Sequence, residues 1–116
     1  AYAAALNAKG VVTSIGHSDA TYDECIAAIN AGASCFTHTY NGQRGLHHRE
    51  PGVVGAAMST PETYAEIICD GKHVTLPPSR RCCRQRAGNT RCSSLTAWAA
   101  AACPRAATPV VAWTSS

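Results

Sequence analysis

The chain has 116 residues, with ten Lys and Arg against seven Asp and Glu and a net charge of +3. That length suits one small domain or part of a larger one, and the apolar share of 46% argues against a disordered chain. No run of about eighteen apolar residues occurs, which excludes a transmembrane helix, and no basic stretch followed by an apolar core opens the chain. The expectation is a cytoplasmic protein.

The predicted elements alternate. Residues 1–9 (AYAAALNAK) are helix formers, and Gly10 fits the left-handed position just past a helix end. Residues 11–15 (VVTSI) are short and β-branched, which predicts a buried strand running straight into Gly16-His17-Ser18. Thr21 with Glu24 three residues on forms a capping box, opening a helix over 22–31 with Cys25, Ile26 and Ile29 on one face; Gly32 ends it. Residues 34–40 (SCFTHTY) predict a second strand, 41–51 a polar loop, 53–58 a short apolar helix, and 64–69 (YAEIIC) a third strand closed by Asp70 and Gly71. Strand, helix, strand, loop, strand is the rhythm of a parallel α/β fold. The cysteines form no disulfide framework; Cys25, Cys35 and Cys69 read as small core residues.

Each predicted strand ends in polar chemistry: His17 after the first, His38 to Asn41 after the second, Asp70 to His73 after the third. Active sites of α/β barrels lie at the carboxyl ends of strands, so the placement points to a site. His17 and His38 are candidate metal ligands, because neutral imidazole binds zinc and ferrous iron. Their separation of 21 residues suits equivalent positions on neighbouring strands. Capped or surface histidines have the same spacing, so the residues alone leave both readings open. The cluster His47-His48-Arg49-Glu50 lies beside glycines, where an Arg can grip a phosphate bidentately, or it is a solvated loop. Asp70 and His73 either contact a polar substrate or close a turn.

Taken together, GHSDAT (16–21), THTYNG (37–42), LHHREPG (46–52) and IICDGKHV (67–74) resemble N-acetylglucosamine-6-phosphate deacetylases in order and spacing. The resemblance covers residues 1–74 and implies a fragment of a metal-dependent TIM (β/α)8 barrel of the amidohydrolase superfamily, about three βα units long. It implies hydrolysis of the N-acetyl group of a 6-phosphorylated amino sugar, giving glucosamine 6-phosphate and acetate in amino-sugar catabolism. His17 and His38 would be ligands to a divalent metal, zinc or iron. Asn41 and Gly42 would contact the sugar phosphate, Arg49 would bind the phosphate, and Asp70, Gly71, Lys72 and His73 would line the substrate pocket, with His73 the chief polar contact. The family usually has Ala where this chain has Gly42, a departure that a main-chain contact tolerates. The family pattern also implies a homo-oligomeric parent that binds neither nucleic acid nor membrane. Two members of the machinery are missing from this chain: a Glu ligand that precedes the segment, and the Asp of a V-T-D motif that moves protons. No catalytic residue is therefore assigned here, and the fragment is expected to be inactive.

Composition changes near Val74. All seven acids and all five histidines lie at or before His73, whereas residues 75–116 hold six arginines, no lysine, and both Trp98 and Trp113. Loss of one nucleotide at Val74 explains this. Reading the third base of each codon with the first two of the next, 74–79 allow H-P-A-A-V, and 91–99 allow L-L-V-T-D-G-M-G, with Leu95 and Thr96 allowing the missing Asp. Residues 75–116 are thus expected to be an out-of-frame, non-native or disordered tail behind a first unit of 1–74. A competing function is a small basic protein that binds nucleic acid through the tail arginines, since a run of cations without acids attracts phosphate backbones. A dihydroorotase-like amidohydrolase is disfavoured by the H-H-R-E-P-G and D-G-x-H-V pair.

Overall fold

The computed structural model describes residues 2–68, 70–75, 77, 78 and 92–94. Its elements run α1 (Tyr2–Asn7), β1 (Thr13–Ile15), α2 (Tyr22–Asn30), β2 (Ala33–Phe36), α3 (Gly52–Ser59), β3 (Tyr64–Ile67) and β4 (Cys92–Ser94). The four strands form one parallel sheet in the order β1-β2-β3-β4.

Helix α1 ends as its sequence predicts. Gly10 takes φ +74 and its N–H bonds to the Asn7 carbonyl, while the Val11 N–H reaches back to Leu6. This left-handed closure uses the amide of Val11, so β1 begins at Thr13 rather than at residue 11, and Val11 and Val12 stay exposed. Helix α2 carries the full capping box: the Thr21 side chain accepts from the Glu24 N–H, and the Glu24 carboxylate accepts from the Thr21 N–H at 2.8 Å.

One core lies between the sheet and its helices. Cys25 of α2, Phe36 of β2, Val53, Ala56 and Ala57 of α3, and Ala65 of β3 form it, with Ile15, Ala20, Tyr22 and Ile29 packed around. Helix α3 is buried along 52–57, as expected of a helix apolar on every side. Ala65 faces these helices, so by the two-residue period of a strand its neighbour Glu66 belongs to the opposite face of the sheet. Cys25 and Cys35 are buried; Cys69 lies outside the described residues.

Two expectations need correction. The second strand stops at Phe36, not at residue 40, because His38 (φ +37) and Tyr40 (φ +82) adopt left-handed backbone that no strand accommodates. The third strand stops at Ile67, not at residue 69, and Cys92–Ser94 pairs in parallel with it, Ala65 opposite Cys92 and Ile67 opposite Ser94. A sheet edge offers unpaired N–H and C=O groups to any extended backbone, so this pairing requires no strand-like side-chain pattern. The tail arginines, the cysteines at 82, 83 and 103, Trp98 and Trp113 lie outside the described residues. No helix among the described residues is long and apolar enough to cross a membrane.

Candidate functional site

The carboxyl ends of β1, β2 and β3 carry the polar groups singled out in the sequence. His17 follows β1 through Gly16, where the chain runs so close to β2 that an added Cβ would stand 2.8 Å from Thr37 Cβ. His38 follows β2 through Thr37, whose amide still bonds to the Ile15 carbonyl. The two imidazoles meet edge to face, centroids 5.7 Å apart and planes at 86°. Both histidines hold positive φ, His17 at +46 and His38 at +37. Backbone of this kind persists only where its surroundings enforce it, and it concentrates at functional sites.

The segment after β2 is a tight coil. The Asn41 N–H closes on the His38 carbonyl, and the Gln43 side chain donates to the Thr37 carbonyl at 2.9 Å and accepts from the Tyr40 N–H. Gly42, at φ +58, passes under the His17 ring; a Cβ there would lie 2.6 Å from ring atoms. Any side chain at this position would therefore require a different lie of the His17 ring from the one found here.

Four buried side-chain atoms around this coil have no hydrogen-bond partner among the described residues: His38 Nδ1, Thr39 Oγ1, Asn41 Nδ2 and Glu66 Oε2. Buried polar atoms are nearly always satisfied, so each of the four is a candidate point of contact for a ligand. Glu66 is the residue that sequence reasoning missed. It is 1% exposed, and burial pushes its carboxyl above the ordinary value, opposed in part by a hydrogen bond from the His38 backbone N–H. In YAEIIC it looks like the solvent-facing member of an alternating strand; the amide that meets it lies 28 residues earlier, beyond any local pattern.

Other motif residues turn out to build the loops. Glu50, grouped in the sequence with the cationic cluster, accepts from the Tyr22 N–H at 2.7 Å and from the Gly52 N–H at 3.0 Å, tying the starts of α2 and α3 together. These two backbone bonds hold its carboxyl below the ordinary value. Arg44 forms a two-pronged pair with Asp19 (Nε to Oδ1 3.0 Å, Nη2 to Oδ2 2.8 Å), which lowers the Asp19 pKa and fastens the loop bearing His17 to the loop after β2. Arg49 is exposed; its Nε reaches His48 Nε2 at 3.2 Å, and it forms no ion pair among the described residues.

Asp70 organises the turn after β3. Its Oδ1 accepts the N–H groups of Lys72 and His73, both at 2.8 Å, and its Oδ2 meets His73 Nδ1 at 2.6 Å. With Asp70 ionised, Nδ1 carries the proton and Nε2 is the nitrogen left to reach outward. The two bonds to His73 and the one to the Lys72 amide lower the Asp70 pKa from 3.8 to about 2. A depressed carboxyl stabilises the fold fully above its ordinary value and loses that contribution as pH falls through about 2. A carbon-detected NMR titration of Asp70 should therefore give a midpoint near 2, with the Lys72 and His73 amides moving in step. A midpoint near 4, the unperturbed value, would show that the turn is not formed.

Among the described residues, His17, His38, Asn41 and Gly42 gather at one place with Glu66, whereas no hydrogen bond or ion pair links Arg49 or the 70–73 turn to the two histidines. Nor does any group of three His, Cys, Asp or Glu among these residues form a metal-binding set.

No family model matches the chain. It is 49% identical over 84 residues to an N-acetylglucosamine-6-phosphate deacetylase of Vibrio furnissii, covering 70% of this chain and 21% of that protein. It is 54% identical over 69 residues to an N-acetylgalactosamine-6-phosphate deacetylase of a Shewanella species, covering 60% of this chain and 18% of the relative. Among solved structures, a mutant N-acetyl-D-glucosamine-6-phosphate deacetylase of Mycobacterium smegmatis in complex with N-acetyl-D-glucosamine 6-phosphate superposes with a TM-score of 0.78 at 40% identity, over 83% of this chain and 25% of that one. The chain spans about a fifth of the length of the curated relatives it matches. In sequence and in backbone alike, the chain is similar to one segment of N-acetylglucosamine-6-phosphate deacetylases.

Proposed function

We propose that the chain is an arc of a (β/α)8 barrel from a metal-dependent deacetylase that removes the acetyl group of N-acetylglucosamine 6-phosphate. The observation that carries this reading is the set of four orphaned polar atoms at the carboxyl end of a parallel sheet, the end where barrels of this kind do their chemistry. His17 and His38 would hold a divalent metal, zinc or ferrous iron. They fit in kind, as two imidazoles facing edge to face with His38 Nδ1 buried and unpartnered; a third ligand would have to come from outside the described residues. Such a metal, when bound, acidifies a water and polarises the amide carbonyl.

The remaining residues bind and orient. Asn41 Nδ2 offers N–H donors from a buried position to a phosphate or acyl oxygen. Arg49 has no carboxylate among the described residues to compete with a phosphate. Asp70 holds His73 by Nδ1, so Nε2 would be the ring atom that meets the sugar. The proton-moving Asp would come from the restored frame at Leu95 and Thr96, and residues 75–116 would be that frame misread.

The test uses the uninterrupted parent, with the frame restored after Val74. It should release acetate from N-acetylglucosamine 6-phosphate with zinc or ferrous iron, and lose that activity on chelation. A second reading takes the galacto epimer as substrate, favoured by the 54% identity to the Shewanella relative. Comparing kcat/KM for the two epimers decides between them, and acetate from neither would refute both.

A further inference from the structure

We infer that Glu50 is a positioning residue: by tying the loop that carries Arg49 to the start of α2, it sets where the Arg49 guanidinium stands. The link to phosphate recognition rests on the function proposed above; the tie itself does not.

A single oxygen makes the tie. Glu50 Oε1 accepts the Tyr22 N–H at 2.7 Å and the Gly52 N–H at 3.0 Å. Tyr22 and Gly52 are the first residues of α2 and α3, and the first amides of a helix have no partner within it. The local caps serve other groups. In α2 the Thr21 side chain takes the Glu24 N–H, and Glu24 takes the Thr21 N–H. In α3 the N-cap is Pro51, which makes no side-chain cap bond. A carboxylate suits this place because helix starts carry partial positive charge.

Arg49 lies inside the stretch that this oxygen fixes. The Glu50 carbonyl accepts the His47 N–H at 3.2 Å, which closes residues 47–50 into a turn. Within it the Arg49 N–H meets His47 Nδ1 at 3.2 Å. The other end of the loop is fastened too: the Arg44 N–H bonds to the Ser18 carbonyl at 3.0 Å, and its guanidinium forks onto Asp19. The two ends also touch, since a Cβ on Gly52 (φ +61) would stand 2.8 Å from the Arg44 carbonyl oxygen. Ser18, Asp19 and Tyr22 all belong to the segment that leaves His17. Arg44 thus holds the near end of the loop to that segment, and Glu50 holds the end next to Arg49. A sugar gripped at its phosphate and cleaved at its amide needs the span between the two grips fixed, because a misplacement of about 1 Å can cost a hundredfold in rate.

Two measurements test the assignment. In the 116-residue chain, Glu50→Ala should speed hydrogen exchange of the Tyr22 and Gly52 amides about tenfold, the equivalent of one lost hydrogen bond. The Val11 amide, bonded to the Leu6 carbonyl, should keep its rate. In the uninterrupted parent, Glu50→Ala should lower kcat/KM about tenfold more for N-acetylglucosamine 6-phosphate than for the unphosphorylated sugar, chiefly through KM. Glu50→Gln keeps an oxygen of the same reach and should retain most of the preference. Glu50→Asp, one methylene short, should lose as much as Glu50→Ala. In an Arg49→Ala background, Glu50→Ala should change the preference no further, because its effect passes through Arg49. Unmoved Tyr22 and Gly52 amides would overturn the tie. Equal losses on the two substrates, as general destabilisation produces, or a full further loss of preference in the Arg49→Ala background, would overturn the positioning role. An intact preference in Arg49→Ala alone would instead remove Arg49 from the phosphate site, and the positioning role with it, while the two amides would still decide the tie.

Discussion

The 116-residue chain should release no acetate from N-acetylglucosamine 6-phosphate above background, whichever divalent metal is supplied. Two imidazoles are brought together, and no third His, Cys, Asp or Glu among the described residues completes a ligand set, whereas an open catalytic zinc site ordinarily has three protein ligands. The tail holds no carboxylate side chain, so it offers nothing to carry a proton from water to the leaving amine. Glu66, the buried carboxylate among the described residues, is one group and cannot serve both as a third metal ligand and as the proton carrier. A sheet of four strands is half the ring of a (β/α)8 barrel, and loosely held ligands forfeit much of the rate that fixed geometry supplies. The measurement is acetate release by chain purified from a host lacking its own deacetylase. Metal-dependent turnover abolished by His38→Ala would overturn both the missing-Asp argument and the frame argument.

In the uninterrupted parent, Arg49→Ala should reduce the preference for phosphorylated over unphosphorylated substrate about ten- to a hundredfold, the value of a charge-assisted bidentate contact of roughly 1.5–3 kcal/mol. Arg49 suits the task because, among the described residues, its side chain meets a ring nitrogen through Nε alone, His48 Nε2 at 3.2 Å, which leaves both terminal NH2 groups for phosphate oxygens. Arg44, by contrast, spends its fork on Asp19, so it serves as the control. Comparing kcat/KM for N-acetylglucosamine with and without the phosphate reads the effect. An unchanged ratio in Arg49→Ala, or an equal loss in Arg44→Ala, would remove Arg49 from the phosphate site.

Sequence reasoning reached the features whose determinants are local. The capping box of Thr21 with Glu24 and the left-handed Gly10 involve partners three to five residues apart, and both form as expected. The strand-end positions of His17 and His38 were legible for the same reason: a short apolar run ending in Gly-His or Thr-His is visible in the chain itself. What escaped is non-local. The bond from Thr39 N–H to the Glu66 carbonyl, the Arg44–Asp19 pair and the hold of Glu50 on Tyr22 each join residues 25 to 28 apart in sequence. The early end of β2 escaped because neither a His nor a Tyr side chain signals the left-handed backbone found at 38 and 40. Strand β4 escaped because Cys-Ser-Ser carries no alternation; its place is dictated by the open edge of β3.

The all-parallel order of the sheet governs how the chain can reach this state. Thr13 meets Ala33, Cys35 meets Tyr64, and Ala65 meets Cys92, so every ladder joins residues roughly 20–30 apart, and no hairpin can form first. Each ladder must await closure of a loop that includes a crossover, and its entropy is lost before any contact repays it. Folding dominated by such separated contacts is slow, on the order of milliseconds to seconds for small domains. On a ribosome adding about 5–20 residues per second, β1, α2 and β2 would pair while β3 is still unmade. The edge of β2 would then wait seconds for its neighbour, and the nascent chain is most exposed to wrong strand pairing during that interval.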